Sequence, residues 1–282
     1  MEATPIPDRQ SSAAPLPEYD RPPVVEVVFA TAVEPTPLSV VDLARFGLER
    51  LGERFPGHQE QPPMQMATES FDGTVQNLAP TLALLTGAPP IRLWFQSEDK
   101  TRLVQLQRDW LAYNWQRASA DGPYPRYEII EEQFLETWDS FSEFVGEINS
   151  RPLKARQCEL SYINHIVPNE LWQRPGQFGR VIQLMGSAGS FLPEPEDGQI
   201  ILRHRIQHDG SDVGRLYIQA TTGQQRTDLS PVIQLQMTAR GAPLGDGREG
   251  IIEFFRLAHQ WIVNGFAAIT TAEAQQMWGR TR

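Results

Sequence analysis

Three short runs constrain this chain more than any other feature. Ile91–Ser97 (IRLWFQS), Arg102–Arg108 (RLVQLQR) and Leu111–Arg117 (LAYNWQR) have strand composition. Only Glu98-Asp99-Lys100-Thr101 and Asp109-Trp110 separate them. Polar turns this short join strands that fold back alongside each other, so the segment reads as an antiparallel meander. Side chains alternate along a strand. Gln105 and Gln107 therefore share a face with Leu103, Val104 and Leu106 fill the other, and Asn114 opposes Tyr113 and Trp115.

A long helix should follow. Ile130, Phe134, Trp138, Phe141 and Val145 recur at spacings of three and four within Tyr127–Ile148, an apolar stripe that would rest on the sheet. Upstream, the β-branched run from Pro22 to Thr31 reads as a strand. Ser39, with Asp42 three residues on, reads as the cap of a helix reaching Phe55, where Pro56-Gly57 stops it. Met64–Glu69 reads as a short strand, and Phe71–Pro90 as a loop with a helical turn near Leu82–Leu85.

The order then repeats. Cys158–Ile166 (CELSYINHI) reads as a strand, Pro168–Trp172 as a helical turn and Arg180–Met185 as a strand. Gln199–Gln207, Arg215–Thr221 and Val232–Ala239 form a second meander, followed by a helix over Glu249–Phe266. Thr270 or Thr271 caps a last short helix, with Glu273 as partner in a capping box. The fold class is α+β: antiparallel meanders packed by long amphipathic helices, in an order that suggests a duplicated strand–helix–meander–helix unit. Residues 1–22, rich in Pro, Ala and Ser, read as a disordered leader. Residues 23–150 and 151–282 read as the two halves of one continuous domain or of two.

Composition bears mainly on what the chain is not. It carries a net charge of −10 over 282 residues, and its 23 arginines against two lysines are scattered along the whole length. That pattern fits a GC-rich bacterial genome better than a nucleic-acid-binding patch, so no nucleic acid is expected. No apolar run approaches the roughly 20 residues that span a bilayer, and the first residues lack a signal-peptide core, so the expectation is a soluble cytoplasmic protein. The single cysteine, Cys158, precludes an internal disulfide. It reads as a small buried hydrophobe.

The sequence contains no metal motif, nucleophile elbow or phosphate loop. His204 and His208 are four apart but fall in and just after a strand without accompanying carboxylates, and read as a surface pair. Gly186–Ser190 has glycine and serine but neither the lysine nor the helix of a phosphate loop. No cofactor and no metal are expected. What remains are polar residues in strands that should be burying something. Gln105 and Gln107 face either solvent or a site. Asn164 and His165, with apolar neighbours on both sides, are the strongest candidates, and Glu159 and Tyr162 lie on the same strand. His259 stands among Phe254, Phe255, Leu257, Ile262 and Phe266 on the last long helix, and would gain significance if it met His165.

Several blocks together are similar to those of an uncharacterised, sporadically distributed prokaryotic protein family. They are PPVVEVVF from Pro22, WFQSEDKTRLVQLQRD from Trp94, YNWQR from Tyr113, YPRYE from Tyr124, CELSYINHI from Cys158 and HQWIVNGFAAITTAEAQQMWGR from His259. Lys100 stands at a turn position where the family pattern favours glycine. The resemblance implies no activity. Its patchy distribution implies an accessory role, such as a mobile-element or defence-associated module. The family blocks contain the residues reached independently: Gln105, Gln107, Asn114, Trp115, Glu159, Tyr162, Asn164, His165 and His259.

The leading expectation is a non-enzymatic binding module for a small molecule or a protein partner, in a groove between a sheet face and the C-terminal helix. One alternative is an enzyme using His165 as acid or base. Glu159 is a poor partner for it, since six extended residues separate them by about 20 Å. The other is a structural subunit that assembles with copies of itself.

Overall fold

The computed structural model describes residues 15–64, 68–71, 91–119, 122–149, 152–183, 191–225 and 228–282. Strands β1 (Val24–Val33), β2 (Gly57–Gln61), β3 (Arg92–Gln96), β4 (Arg102–Gln107), β5 (Trp110–Gln116), β6 (Ala155–Ile166), β7 (Gln199–His208), β8 (Ser211–Gln224) and β9 (Pro231–Gly241) form one continuous sheet. Its order is β2-β3-β4-β5-β1-β6-β9-β8-β7, with every neighbouring pair antiparallel. Both expected meanders are present. The two halves of the chain join where β1 pairs with β6, Phe29 opposite Leu160 and Val27 opposite Tyr162.

Helices α2 (Tyr127–Ile148) and α3 (Gly247–Ile269) cover one face of this sheet. Phe29, at the centre of β1, is where they meet: its ring lies 5.6 Å from Phe134 of α2 and 4.9 Å from Phe255 of α3, and those two rings are 5.2 Å apart. All three are fully buried. Burying side chains of this kind contributes about 1.5–3 kcal/mol each, so this triad fixes how both helices sit on the sheet.

Several local expectations are corrected. Ser39 does cap α1 (Val40–Phe46), and its reciprocal bonds with Asp42 form a capping box, but the α-helix stops well before Phe55. A π turn over Gly47–Leu51 and a 3-10 turn over Gly52–Arg54 follow. Gly47 lies against β3, where a Cβ would come 2.0 Å from Phe95 Cε1, so close approach to the sheet takes over from helical regularity there. β2 is polar and mostly exposed, which is why alternation did not reveal it. Pro168–Trp172 is no helical turn: the Asn169 side chain accepts from the Leu171 and Trp172 amides instead. Met64, Thr68 and Glu69 are not in a strand. Arg180 ends a 3-10 turn begun at Pro175, and Ile182 makes a single bridge to Thr270. Thr271 caps α4 (Ala272–Met277) through the Ala274 amide, the N3 position, so Glu273 stands one residue short of a capping box. Lys100 does take a left-handed turn conformation, φ +58°. The turn expected at Leu82–Leu85, the loop Gly186–Ser190 and residues 184–185 lie outside the described residues.

The stretch from Leu16 to Pro22, assigned by composition to a leader, is held in place. Tyr19 bridges Arg280; the Asp20 and Arg21 amides donate to the Gly279 and Trp278 carbonyls, and the Thr281 amide donates to Glu18. No described helix is long and apolar enough to cross a membrane.

Candidate functional site

Strand alternation divides the candidate residues between two faces. Asn164 and His165 are neighbours in β6, so their side chains point to opposite sides of the sheet and cannot serve one site. Gln105, Gln107, Asn114, Glu159 and His165 lie on the face away from α2 and α3. Trp115, Tyr162, Asn164 and His259 lie on the helix-covered face. His259 and His165 therefore do not meet.

The far face carries interlocking polar networks. Gln105 and Gln107 are only 5% and 7% exposed, which removes the solvent-facing alternative for both. Gln105 Oε1 accepts from Trp94 Nε1 at 2.9 Å and Arg92 Nη1 at 3.0 Å. Its amide donates to Asn114 Oδ1 at 2.8 Å, and Asn114 Nδ2 donates to Glu26 at 2.6 Å. Gln107 exchanges two hydrogen bonds with the backbone of Met64, and the Glu69 amide donates to Gln157 Oε1. Gln107, Trp110, Ala32 and Gln157 form one row across β4, β5, β1 and β6, and the small Ala30 and Ala112 lie beside it. The chain on either side of residues 65–67 is thus pinned to the sheet by glutamine side chains acting as surrogate backbone.

Glu69 completes this attachment. Its carboxylate pairs with Arg215 and Arg240 and accepts from Tyr217 Oη at 2.6 Å, while Arg240 Nε also donates to Glu159 at 2.5 Å. Glu159 is thereby committed to a structural ion pair. His165 is partly buried, and that burial lowers its pKa; the side chain of Gln234, opposite on β9, and the charge of Glu26 act in the other direction. Glu69→Ala should cost about 2 kcal/mol in urea unfolding. It leaves two arginines short of a partner, though both retain some contact with water and Arg240 keeps Glu159. An unchanged midpoint would show that Glu69 does not hold the crossing segment.

The helix face holds a cavity of about 310 Å³ between β1, β6, β9, the start of α2 and the outer half of α3. Tyr162 and Asn164 project into it from β6, His259, Ile262 and Phe266 from α3, and Tyr124 and Tyr127 from the entry to α2. Leu16–Tyr19 forms a further wall. The polar groups make a chain: Tyr124 Oη lies 3.2 Å from Tyr162 Oη, which lies 3.1 Å from His259 Nδ1. The His259 ring stacks on Tyr127 with centroids 3.9 Å apart, and Tyr127 Oη donates to Glu131 at 2.5 Å. Trp115 supports the set from behind, its ring 5.4 Å from Tyr124. At the mouth, Arg126 takes φ +77° and ψ 160°, a region that costs a non-glycine residue on the order of 1–3 kcal/mol, and donates to the Tyr19 carbonyl at 3.0 Å.

Burial fixes the protonation of this chain. It lowers the His259 pKa to about 4 and raises those of Tyr124 and Tyr162, so a neutral imidazole sits among protonated phenols at physiological pH. In the lining, the Tyr19 hydroxyl is fully enclosed without a hydrogen-bond partner among the described residues, and Asn164 Nδ2 donates to the Leu235 carbonyl, which leaves its Oδ1 open to the cavity. Of the cavity's key residues, Tyr162, Asn164 and His259 were legible as candidates. Tyr19, Tyr124 and Tyr127 were not: one lay in the supposed leader, and the others precede or open a helix whose apolar stripe begins at Ile130. Among the described residues no group of histidine, cysteine or carboxylate side chains could hold a metal ion. His204 and His208 are exposed, and Cys158 is fully buried, with burial raising its thiol pKa. Comparison with protein-family models, with curated proteins and with solved structures found no match to this chain.

Proposed function

We propose that this chain is a non-enzymatic binding protein whose small-molecule ligand occupies the cavity between the sheet and α3. The observation that carries this reading is an apolar cavity of ligand size on which a few polar side chains converge: Tyr124, Tyr162, His259 and Asn164. Small-molecule sites are about 300–1,000 Å³, mostly apolar, with a few convergent polar groups, and this cavity meets each condition. Buried polar atoms are normally satisfied within the protein or by what binds there. The candidate acid–base groups support binding over catalysis. Glu159 is held by Arg240, His165 lies on the opposite face, and His259 is too weak a base to be charged near neutrality.

The test is ligand-detected NMR with a library of small aromatic and aliphatic fragments. The wild-type protein should bind a subset of them, and Val263→Trp, which puts an indole into the cavity from α3, should abolish that binding while the protein stays folded. Fragments that bind the Val263→Trp protein equally well, or a library that binds neither, would refute the reading.

We also propose that the two halves descend from one duplicated unit. The strand order supports this. In each half the first strand pairs with the last strand of its own meander, β1 with β5 and β6 with β9, and a long helix follows the meander. Superposition of β1-β3-β4-β5-α2 on β6-β7-β8-β9-α3 tests the proposal, and failure of the helices to coincide once the strands are fitted would end it. The accessory role implied by the resemblance fits a binding module but has no support from the site itself.

A further inference from the structure

We infer that the cavity selects an uncharged, mainly apolar ligand carrying one hydroxyl or amide N–H group, which it would bind through Asn164 Oδ1. This inference rests on the binding reading above and deepens it.

The walls supply the first reason. Val24, Met237, Ile262, Val263 and Phe266 surround the space with aliphatic and aromatic surface, and the phenol rings of Tyr124 and Tyr162 add more. Such a lining rewards apolar area at about 25 cal/mol per Å² and gives nothing back for a desolvated charge.

The distribution of charge supplies the second. A buried cationic ligand would need a carboxylate, and a buried anion would need a guanidinium or ammonium; otherwise several kcal/mol of desolvation go uncompensated. Glu131, the carboxylate behind the cavity, already accepts from Tyr127. Glu18, Glu128 and Arg126 line the mouth, where all three are exposed to water; Glu18 pairs with Arg282, and the opposite charges of Glu128 and Arg126 offset each other. The inner polar groups, Tyr162, Tyr124 and His259, are occupied with one another. They present a neutral surface over the whole physiological range.

An open acceptor supplies the third. Asn164 Nδ2 is fixed on Leu235 O at 3.1 Å, which sets the amide orientation and leaves Oδ1 as an acceptor beside the cavity. A ligand O–H or N–H would satisfy it, and a purely aliphatic ligand would not.

The experiment is displacement of the uncharged fluorescent probe N-phenyl-1-naphthylamine from the full chain by three compounds on one skeleton: 2-naphthalenemethanol, 2-naphthoate and 2-naphthylmethylammonium. The probe should bind the wild-type protein and not the Val263→Trp protein, and the alcohol should displace it at concentrations at least about tenfold lower than either ion. If either ion competes as well as the alcohol, the proposed ligand class is wrong and the binding cavity stands. If the probe binds neither protein, or both equally, the cavity reading falls and takes this inference with it.

Discussion

Phe29→Ala should destabilise the protein by about 3–5 kcal/mol, the range for removing a fully buried phenylalanine. Phe29 lies on the central strand and touches Tyr127 and Phe134 of α2 and Phe255 of α3, so the space left by its ring opens where both helices bear on the sheet. Relaxation into that space would require two helices to move together. For a chain of this size the expected fall in melting temperature is on the order of 10 °C. Urea unfolding at neutral pH measures the loss, and Ile201→Ala, at a site 54% exposed on the edge strand β7, serves as a control expected to stay within about 0.5 kcal/mol of the wild type. A loss below about 1 kcal/mol for Phe29→Ala would mean that the two helices are held by other contacts.

The second large effect is a loss of stability in mild acid that traces to His259. Its imidazole has a pKa of about 4 in the folded protein against an ordinary value of 6.5, because burial disfavours the charged ring. Between those values the unfolded chain binds more protons than the folded one, so stability falls as the pH drops from 6.5 towards 4. The gap corresponds to about 3 kcal/mol when the window is fully crossed. Glu131, which accepts from the tyrosine that stacks on His259, acts in the opposite sense. Its pKa is raised by burial, so its protonation favours the folded state as the pH falls. The informative quantity is therefore a difference. The stability lost between pH 7 and pH 4.5 should be about 2–3 kcal/mol greater in the wild type than in His259→Gln, which retains an acceptor for Tyr162 but does not titrate. Equal losses in the two proteins would show that His259 stays neutral in the unfolded chain as well, or is not held neutral in the fold.

The sequence conveyed the fold wherever a local period controlled it. The two meanders and the helices from Tyr127 and near Glu249 follow from alternation and from a three-and-four spacing, signals that survive in any tertiary setting. Elements governed by distant contacts were not legible. The α-helix gives way at Gly47 because Phe95, 48 residues on, occupies the space a side chain would need. β2 has no apolar alternation because it is an exposed edge. The site was half legible for a similar reason. Tyr162 and Asn164 drew attention as polar residues in an apolar row. The adjacent Asn164 and His165, however, looked like one feature when strand geometry places them on opposite faces. Gln105 and Gln107 read equally well as solvent-facing, since the segment bonded to Gln107 begins at Met64 and is invisible to any local pattern. Tyr19 could not have been found, because its role depends on pairing with residues some 260 positions later.

That pairing has a consequence for the order of events during folding. Glu18–Arg21 forms its hydrogen bonds with Trp278–Thr281, and the same stretch supplies Tyr19 to the cavity wall. A chain that has assembled β1 through β9 but has not yet joined these two segments leaves the cavity open along one side. Its apolar lining would then be wet. Contacts of such long separation are among the last to form, so the cavity closes only at the end of folding.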